Sequence, residues 1–382
     1  MKKIKKILYP ILQRLKRVVQ ILFYDVCTIL FKCKEKQILI ASNTKNELHG
    51  NLEYIYEEFK KYDYDIKVLA MNKGSFWKKT KYEFKVLFNA AISKYILIDD
   101  FFPLMYVLNI RKGTKFIQVW HALGAFKRVG YSRLDIDNKN SLTHKNYTDT
   151  IVSSESIVDN YAEAFGIDRN KVHPLGIPRT DMFFDDVKKE RIKEKIYETY
   201  PNLKEKRVIL FAPTFRGQGR KSAHYPEEYI DLDKIYESLD KNDVFILKLH
   251  PFIKNQLTVK EDYKDKIIDL TDYKDINELL LITDLLITDY SSVIFEYSFM
   301  EKPVIFYVPD LDEYGSWRSF YYNYDEYIYG SIARTKEELT NQIKNPIVDK
   351  DKIKQFKNKF LNKCDGNSTK RFVEELILKW VF

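Results

Sequence analysis

Cysteine is nearly missing from this chain. Cys27, Cys33 and Cys364 are too few for a disulfide framework and lack the spacing of a metal site, and a reduced, cytosolic setting fits best. Glycine and proline are also scarce, 12 and 11 residues in 382, which argues against long disordered linkers. No apolar run reaches the ~20 residues of a bilayer-spanning helix; the run at 18–31 is shorter and is interrupted by Asp25. No small-residue cleavage site follows it, so a secretory signal is not expected. The P-loop pattern GxxxxGK[ST] and any solenoid-spaced repeat are missing too. No acidic cluster stands out as a metal-ligand set, so neither a metal nor a cofactor is expected at the chemistry.

What the chain does hold is a globular composition, 45% hydrophobic and 31% charged, in a length that suits two domains rather than one core. The formal net charge of +9 suits nucleic acid, anionic lipid or a polyphosphate-like substrate; by itself it does not choose among them, and lysines kept for solubility would give the same sign. The first 31 residues stand apart. Ile4, Ile7, Leu8, Ile11, Leu12, Leu15, Val18, Val19 and Leu22 follow the helical period. Lys2, Lys3, Lys5, Lys6, Arg14, Lys16 and Arg17 supply charge, and no acid occurs before Asp25. This pattern predicts a basic amphipathic helix over 1–34, kinked or restarted at Pro10, lying on an anionic membrane face. The alternative is a helix packed on the protein with a basic solvent side.

Strands and helices then alternate. Strands are expected at 37–42, 65–71, 94–100 and 148–154, with a strand that runs into a loop over 114–126, helices at 51–61 and 157–165, and 171–179 closing a first α/β domain over 35–185. A charged helical stretch at 181–200 reads as a linker. A second α/β domain over 205–348 has a strand and loop at 207–217, a strand ending in His-Pro at 243–252, further strands at 266–273, 284–288 and 303–308, and helices at 276–283 and 336–345. Residues 312–329 read as an aromatic, acidic loop. The C-terminal segment, 349–382, is helical and restarts near Ser368 or Thr369. Two doubly wound parallel sheets facing a cleft follow from this alternation.

The stretch DLLITDYSSVIFEYSFMEKPVIFYVPD, residues 284–310, is the most informative. It reads as strand, tight turn, helix, strand. Asp289, Tyr290, Ser291 and Ser292 form the turn, and the two serines suit a helix N-cap. Backbone N–H groups and two hydroxyls at a sheet's carboxyl edge make an anion site suited to phosphate; an ordinary capped helix would look alike. Glu296 follows one helical turn later, placed to reach a ribose diol. Other strand ends carry polar residues as well: His121 after KFIQVW, Thr214 and Arg216 after VILFAP, Lys248 and His250 after VFILKL. Ligands of open α/β sheets bind outside such ends. Histidine can take a proton from an attacking hydroxyl near neutral pH, and Arg216, in a loop that Gly217 and Gly219 would make flexible, can grip a phosphate bidentately or form a salt bridge. His49, His144, His173 and His224 read as ordinary structural histidines, with His144 and His173 near the cleft. Trp120, Phe126 and Tyr131 could stack on a base or an acceptor, or simply pack.

The set QVWHALGAFKRVGYSR, HPLGIPRTDMF, LFAPTFRG, LKLHP and DLLITDYSSVIFEY resembles the CDP-glycerol glycerophosphotransferases, the teichoic acid primases and polymerases of Gram-positive bacteria. The motifs span roughly residues 114–330. The resemblance implies a GT-B-like fold with the C-terminal helices crossing back to the first domain. It implies that the second domain binds a CDP-alditol, CDP-glycerol or CDP-ribitol. Position by position, His121 and His250 match two catalytic histidines, Arg216 a phosphate-contacting arginine, and Asp289, Ser291 and Ser292 the donor-phosphate turn. Thr214 and Lys248 lie in the same motifs. Glu296 sits where ribose is contacted, and Asp275 and Asn277 lie in a stretch resembling the one beneath the cytidine. Many members have WHG where this chain has Ala122. The segment 121–135 looks closer to the glycerol- and ribitol-phosphate polymerase branch, while the length is nearer a primase. The expected acceptor is a lipid-linked saccharide or poly(alditol phosphate) at the cytoplasmic membrane face, and no nucleic acid is expected. The rival readings are a nucleotide-sugar transferase of the same fold and a non-catalytic membrane scaffold.

Overall fold

The computed structural model describes residues 2–71, 73–134, 141–217, 219, 221–253, 257–317 and 319–380, and side chains for all of these but 2–9, 315–317 and 380. The chain divides into two compact units. The first comprises 1–122, 129–179 and 363–382, the second 123–128 and 180–362. The excursion at 123–128 and the helical stretch at 181–200 both count with the second unit, as does 349–362; only the last twenty residues count with the first.

In the first unit, β1 (Lys34–Ser42), β2 (Asp65–Ala70), β3 (Ser93–Ile98), β4 (Lys115–Gln118), β5 (Asp149–Ile151) and β6 (Val172–His173) form one parallel sheet in the order β2-β1-β3-β4-β5-β6. Its central strands are continuous apolar runs because helices cover both faces: Ile38, Leu39, Ile40, Ile96 and Leu97 are wholly buried. Each such side chain contributes about 1.5–3 kcal/mol of transfer free energy. Chain order reverses between β1 and β3, so the switch point of this sheet lies there.

Helix α1 (Lys2–Leu30) is continuous through Pro10, where a kink or a restart was expected; it does not restart there. It packs against α3 (Phe76–Ile92), which follows α2 (Asn51–Phe59) and precedes α4 (Val158–Phe165). Gln20, Tyr24 and Cys27 of α1 are buried, and Phe23 meets Phe84 edge-on at 5.0 Å. Arg111 closes its C-terminal end, donating from Nη2 to the carbonyls of Thr28 and Phe31, both at 2.6 Å. On the other side Leu12, Leu15, Val19, Leu22, Val26 and Ile29 stay exposed. The expected apolar positions Ile4, Ile7 and Leu8 and the basic Lys2, Lys3, Lys5 and Lys6 have side chains outside the described set. Among the described residues no helix is long and apolar enough to cross a membrane.

The second unit begins with α5 (Asp186–Thr199). Its sheet holds β7 (Arg207–Phe211), β8 (Asp243–Leu247), β9 (Ile267–Asp269), β10 (Leu285–Thr288), β11 (Val304–Tyr307) and β12 (Ser331–Ala333), all parallel, in the order β12-β11-β10-β7-β8-β9. That is the doubly wound order 3-2-1-4-5-6 renumbered, with its switch point between β7 and β10. The helices are α6 (Leu232–Ser238), α7 (Ile276–Leu280), α8 (Val293–Tyr297), α9 (Leu311–Trp317), α10 (Lys336–Lys344) and α11 (Lys350–Phe360). The core is built from Ile209, Phe211, Phe245, Leu247, Ile287 and Ile305, one or two from each central strand. The expected loop at 312–329 instead opens with α9, whose first turn carries Asp312 and Glu313, the favourable charge for a helix start. The last helix, α12 (Ser368–Arg371), takes Asn367 rather than Ser368 or Thr369 as its N-cap, and no side chain caps it.

Candidate functional site

At the carboxyl edge of the first sheet, β4 leads directly into His121. Trp120, between them, holds φ at +48°, a left-handed conformation that costs a side-chain-bearing residue about 1–2 kcal/mol. Buried amides hold it there. Gln118 Oε1 accepts the Trp120 N–H at 2.9 Å, and Asn51 Nδ2 donates to the carbonyls of Val119 and Trp120 at 3.2 and 2.7 Å. Asn51 Oδ1 in turn accepts the Arg179 N–H at 3.1 Å. The turn aims the imidazole outward, with 45% of its side chain exposed. His121 Nδ1 lies 3.3 Å from the carbonyl oxygen of Asp99 and 3.6 Å from Asp100 Oδ1. Both are acceptors only, so the ring proton sits on Nδ1 and the Nε2 lone pair is left for a substrate. Crowding by protein holds the His121 pKa below its ordinary value, against the pull of Asp100 and Asp99 and with help from Arg179. The ring is therefore a neutral base at pH 7.

The second unit places its polar residues at the β7/β10 switch point. Asp289, 1% exposed at the end of β10, accepts the Thr214 N–H on Oδ1 at 2.7 Å and Arg216 Nη1 on Oδ2 at 2.8 Å. Arg216 is itself buried. Its Nε and Nη2 grip Asp310 bidentately at 2.6 and 2.8 Å, and Nη1 also reaches the Thr214 carbonyl at 2.7 Å. Tyr225, Tyr229, Tyr290 and Tyr314 surround the guanidinium at 5.0–5.9 Å. Its N–H groups are thus committed to two carboxylates, which drive the Arg216 pKa far up in spite of burial. The geometry makes Arg216 a keystone between three loops rather than an open hook. The loop after it is also less free than its glycines imply, for Arg216 and His224 exchange two backbone hydrogen bonds at 2.7 and 3.1 Å.

The turn at 289–292 is followed by a short helix. Ser291 Oγ accepts the Val293 N–H at 3.4 Å, whereas Ser292 makes no side-chain cap. Among the described residues the backbone N–H groups of Ser291 and Ser292 donate to nothing. Two N–H groups without acceptors and two part-buried serine hydroxyls therefore lie together at the switch point. Because α8 has five residues, its dipole adds little, and an anion here would depend on the donors themselves.

His250 follows β8. Its Nδ1 accepts the Phe252 N–H at 3.1 Å, which places the proton on Nε2. Burial between Phe215 and Phe252, then the charges of Lys127 and Lys248, push its pKa down to about 4. His250 is thus a neutral N–H donor. Lys248 is buried and spends its ammonium on the Thr271 carbonyl at 2.7 Å, pinning one strand exit to the next; burial lowers its pKa. Asp275 caps α7 through the Asn277 N–H at 2.9 Å, and Asn277 and Glu296 are buried rather than open.

Of the remaining candidates, Trp120 and Phe126 are buried packing residues, and the Tyr131 hydroxyl donates to the Ser141 carbonyl at 2.9 Å. His144 is wholly buried among aromatic rings. His173 pairs with Asp149 at 2.7 Å. Sequence reading missed Asp310, Asn51, Gln118 and Asp100; Asp310 had a signal, since it ends the strand PVIFYV as Asp289 ends LLIT. Among the described residues no cluster of three or more His, Cys, Asp or Glu could hold a metal ion.

Residues 22–378 match the family described as CDP-Glycerol:Poly(glycerophosphate) glycerophosphotransferase. The chain is 43% identical over 359 residues to a teichoic acid poly(ribitol-phosphate) polymerase of Bacillus spizizenii, covering 93% of this chain and 58% of that one. It is 34% identical over 369 residues to a teichoic acid ribitol-phosphate primase of the same species, covering 92% and 93%. Among solved structures, a variant of the wall teichoic acid polymerase TagF soaked with CDPG superimposes with a TM-score of 0.79 at 25% identity, covering 100% of this chain and 97% of that one. This chain therefore has the GT-B-like α/β fold expected of it.

Proposed function

The chain belongs to the CDP-glycerol:poly(glycerophosphate) glycerophosphotransferase family, and from that membership we propose that it transfers an alditol phosphate from a CDP-alditol to an acceptor hydroxyl, releasing CMP. Support comes chiefly from the β7/β10 switch point, where the N–H groups of Ser291 and Ser292 are left without acceptors among the described residues. A donor diphosphate would satisfy them. His121 Nε2 takes the proton of the acceptor hydroxyl. The oxygen attacks the alditol-bearing phosphorus, the bond to the bridging oxygen breaks, and that oxygen leaves with CMP. His250 gives its Nε2–H to the charge that develops. Arg216 holds Asp289 and the Thr214 loop in register. Asp275, Asn277 and Glu296 support the nucleoside from behind, and Lys248 fixes the loop they stand on.

The names of the two relatives described above favour ribitol phosphate over glycerol phosphate. The acceptor in this reading is a lipid-linked saccharide or a growing poly(alditol phosphate). The exposed apolar row on α1, beside Arg14, Lys16 and Arg17, would rest on the anionic inner face of the membrane as a peripheral contact. The test is CMP release from CDP-ribitol and from CDP-glycerol with a defined lipid-linked acceptor. Release with neither donor, or undiminished release by His121→Ala, would refute the assignment. Loss of residues 1–31 should abolish sedimentation with anionic vesicles.

A further inference from the structure

The first unit has a second feature at its carboxyl edge. A cavity of about 430 Å³ opens where β1, β2 and β3 end, at Asn43, Met71 and 102–104. It lies at this sheet's own switch point, the position where open α/β sheets take their ligands. One wall is the flank of α1 carrying Arg14, Lys16 and Arg17, and the facing helix α3 adds Lys79. Among the described residues Glu83 is the single carboxylate on the lining, and it is already answered by Lys16 and by Gln20 Nε2 at 2.8 Å. Among the described residues Arg14, Arg17 and Lys79 form no ion pair. Three cations thus line one hollow without a contact ion pair of their own among the described residues, Arg17 sensing Glu83 only at longer range.

The cavity is close to the candidate base. His121 leaves β4, the strand next to β3, and Asp100, which faces its Nδ1, is two residues before the lining residue Phe102. About one and a half strand spacings separate the β1/β3 switch point from β4, about 7 Å. We propose that this cavity binds a phosphate of the acceptor, a phosphodiester or pyrophosphate close to the hydroxyl that reacts. The proposal rests on the transfer reaction above and names its acceptor subsite. Gln13, Arg17 and Gln20 share the inward face of α1, and the exposed Leu12, Leu15, Val19 and Leu22 lie on its other side.

The double variant Arg17→Gln, Lys79→Gln removes two charges and leaves Lys16 to pair with Glu83. Calorimetric titration with a soluble ribitol-phosphate oligomer should show binding weakened about tenfold or more relative to wild type, with Arg17→Lys close to wild type. In turnover, the acceptor KM should rise by a similar factor while kcat and the donor KM hold. Sedimentation with phosphatidylglycerol vesicles should weaken far less than oligomer binding, because Arg14 and the exposed apolar row of α1 remain. Unchanged oligomer binding would overturn the subsite. So would lost vesicle binding with intact oligomer binding, which would make the cavity a lipid headgroup site. Failure of the transfer reading shows separately, as wild-type protein that binds the oligomer yet releases no CMP from either donor.

Discussion

At the scale of single residues, two histidines of the same type are set to opposite tasks by which ring nitrogen the backbone occupies. His121 faces acceptors with Nδ1 and keeps a free Nε2 lone pair; His250 accepts on Nδ1 and keeps an Nε2–H. General-base removal costs about 10²–10⁴-fold in rate, so His121→Ala should lose that much in kcat at pH 7.5. His250 stays neutral down to about pH 4, so it does not set the acid limb of kcat/KM. His250→Gln, which keeps an N–H donor, should leave that limb in place and outperform His250→Ala; a limb displaced by His250→Gln would contradict the donor role. His144 supplies a stability prediction. Burial lowers its pKa to about 4 from 6.5 in the unfolded chain. Between those values the unfolded state binds the extra proton, so stability falls as pH drops from about 6.5 to 4. The contribution approaches about 3 kcal/mol at 1.36 kcal/mol per unit. Thermal melts of His144→Phe should show a shallower loss across that window than wild type.

At the scale of elements, the carboxyl edge of the second sheet is held by one buried guanidinium tying β7, β10 and β11 together. Removing one partner of such a pair leaves a buried charge and costs about 3–5 kcal/mol. Asp310→Ala should lower the melting midpoint by several degrees and reduce kcat together, since Asp289 and the Thr214 loop lose their tie; a variant as stable and active as wild type would show Arg216 to be otherwise satisfied. Gly124 is a second constraint, at φ +66° with a built Cβ only 2.4 Å from the Phe295 ring on α8, so the loop after His121 admits no side chain there. Much of this was legible in the sequence. The apolar runs ILI, YILI, VILF, VFIL and LLIT became buried parallel strands because only such strands are covered on both faces. The serines at 291 and 292 and the strand-end histidines were legible for the same reason, as polar residues where apolar runs stop. The helix α3 was not, for Phe, Trp, Tyr and Val crowd its sequence and mask its start, although Ser75 caps it through the Lys78 N–H at 3.4 Å. Nor could the partners of Arg216 be read, because the bond to Asp310 closes across 94 residues and pattern reasoning sees only local periods.

At the scale of the whole molecule, the surplus of positive charge is not spent evenly. The edge proposed for the donor offers mainly neutral groups: two backbone N–H donors, hydroxyls, and an imidazole held uncharged. Its one arginine is neutralised by Asp289 and Asp310. The α1 and α3 flank of the first unit instead holds Arg14, Arg17 and Lys79 unpaired among the described residues. Salt screens exposed charges over about 10 Å at 0.1 M and about 3 Å at 1 M, but does little to short hydrogen bonds from neutral donors. A polyanionic acceptor that meets the basic flank and a dinucleotide-like donor that meets neutral groups should then respond differently to ionic strength. Raising NaCl from about 50 to 500 mM should increase the acceptor KM several-fold while the donor KM stays within about twofold. Initial rates with each substrate varied in turn decide the matter. A donor KM that climbs as steeply as the acceptor KM would mean that the diphosphate is held by charge, and that Arg216 leaves its two aspartates when the donor binds.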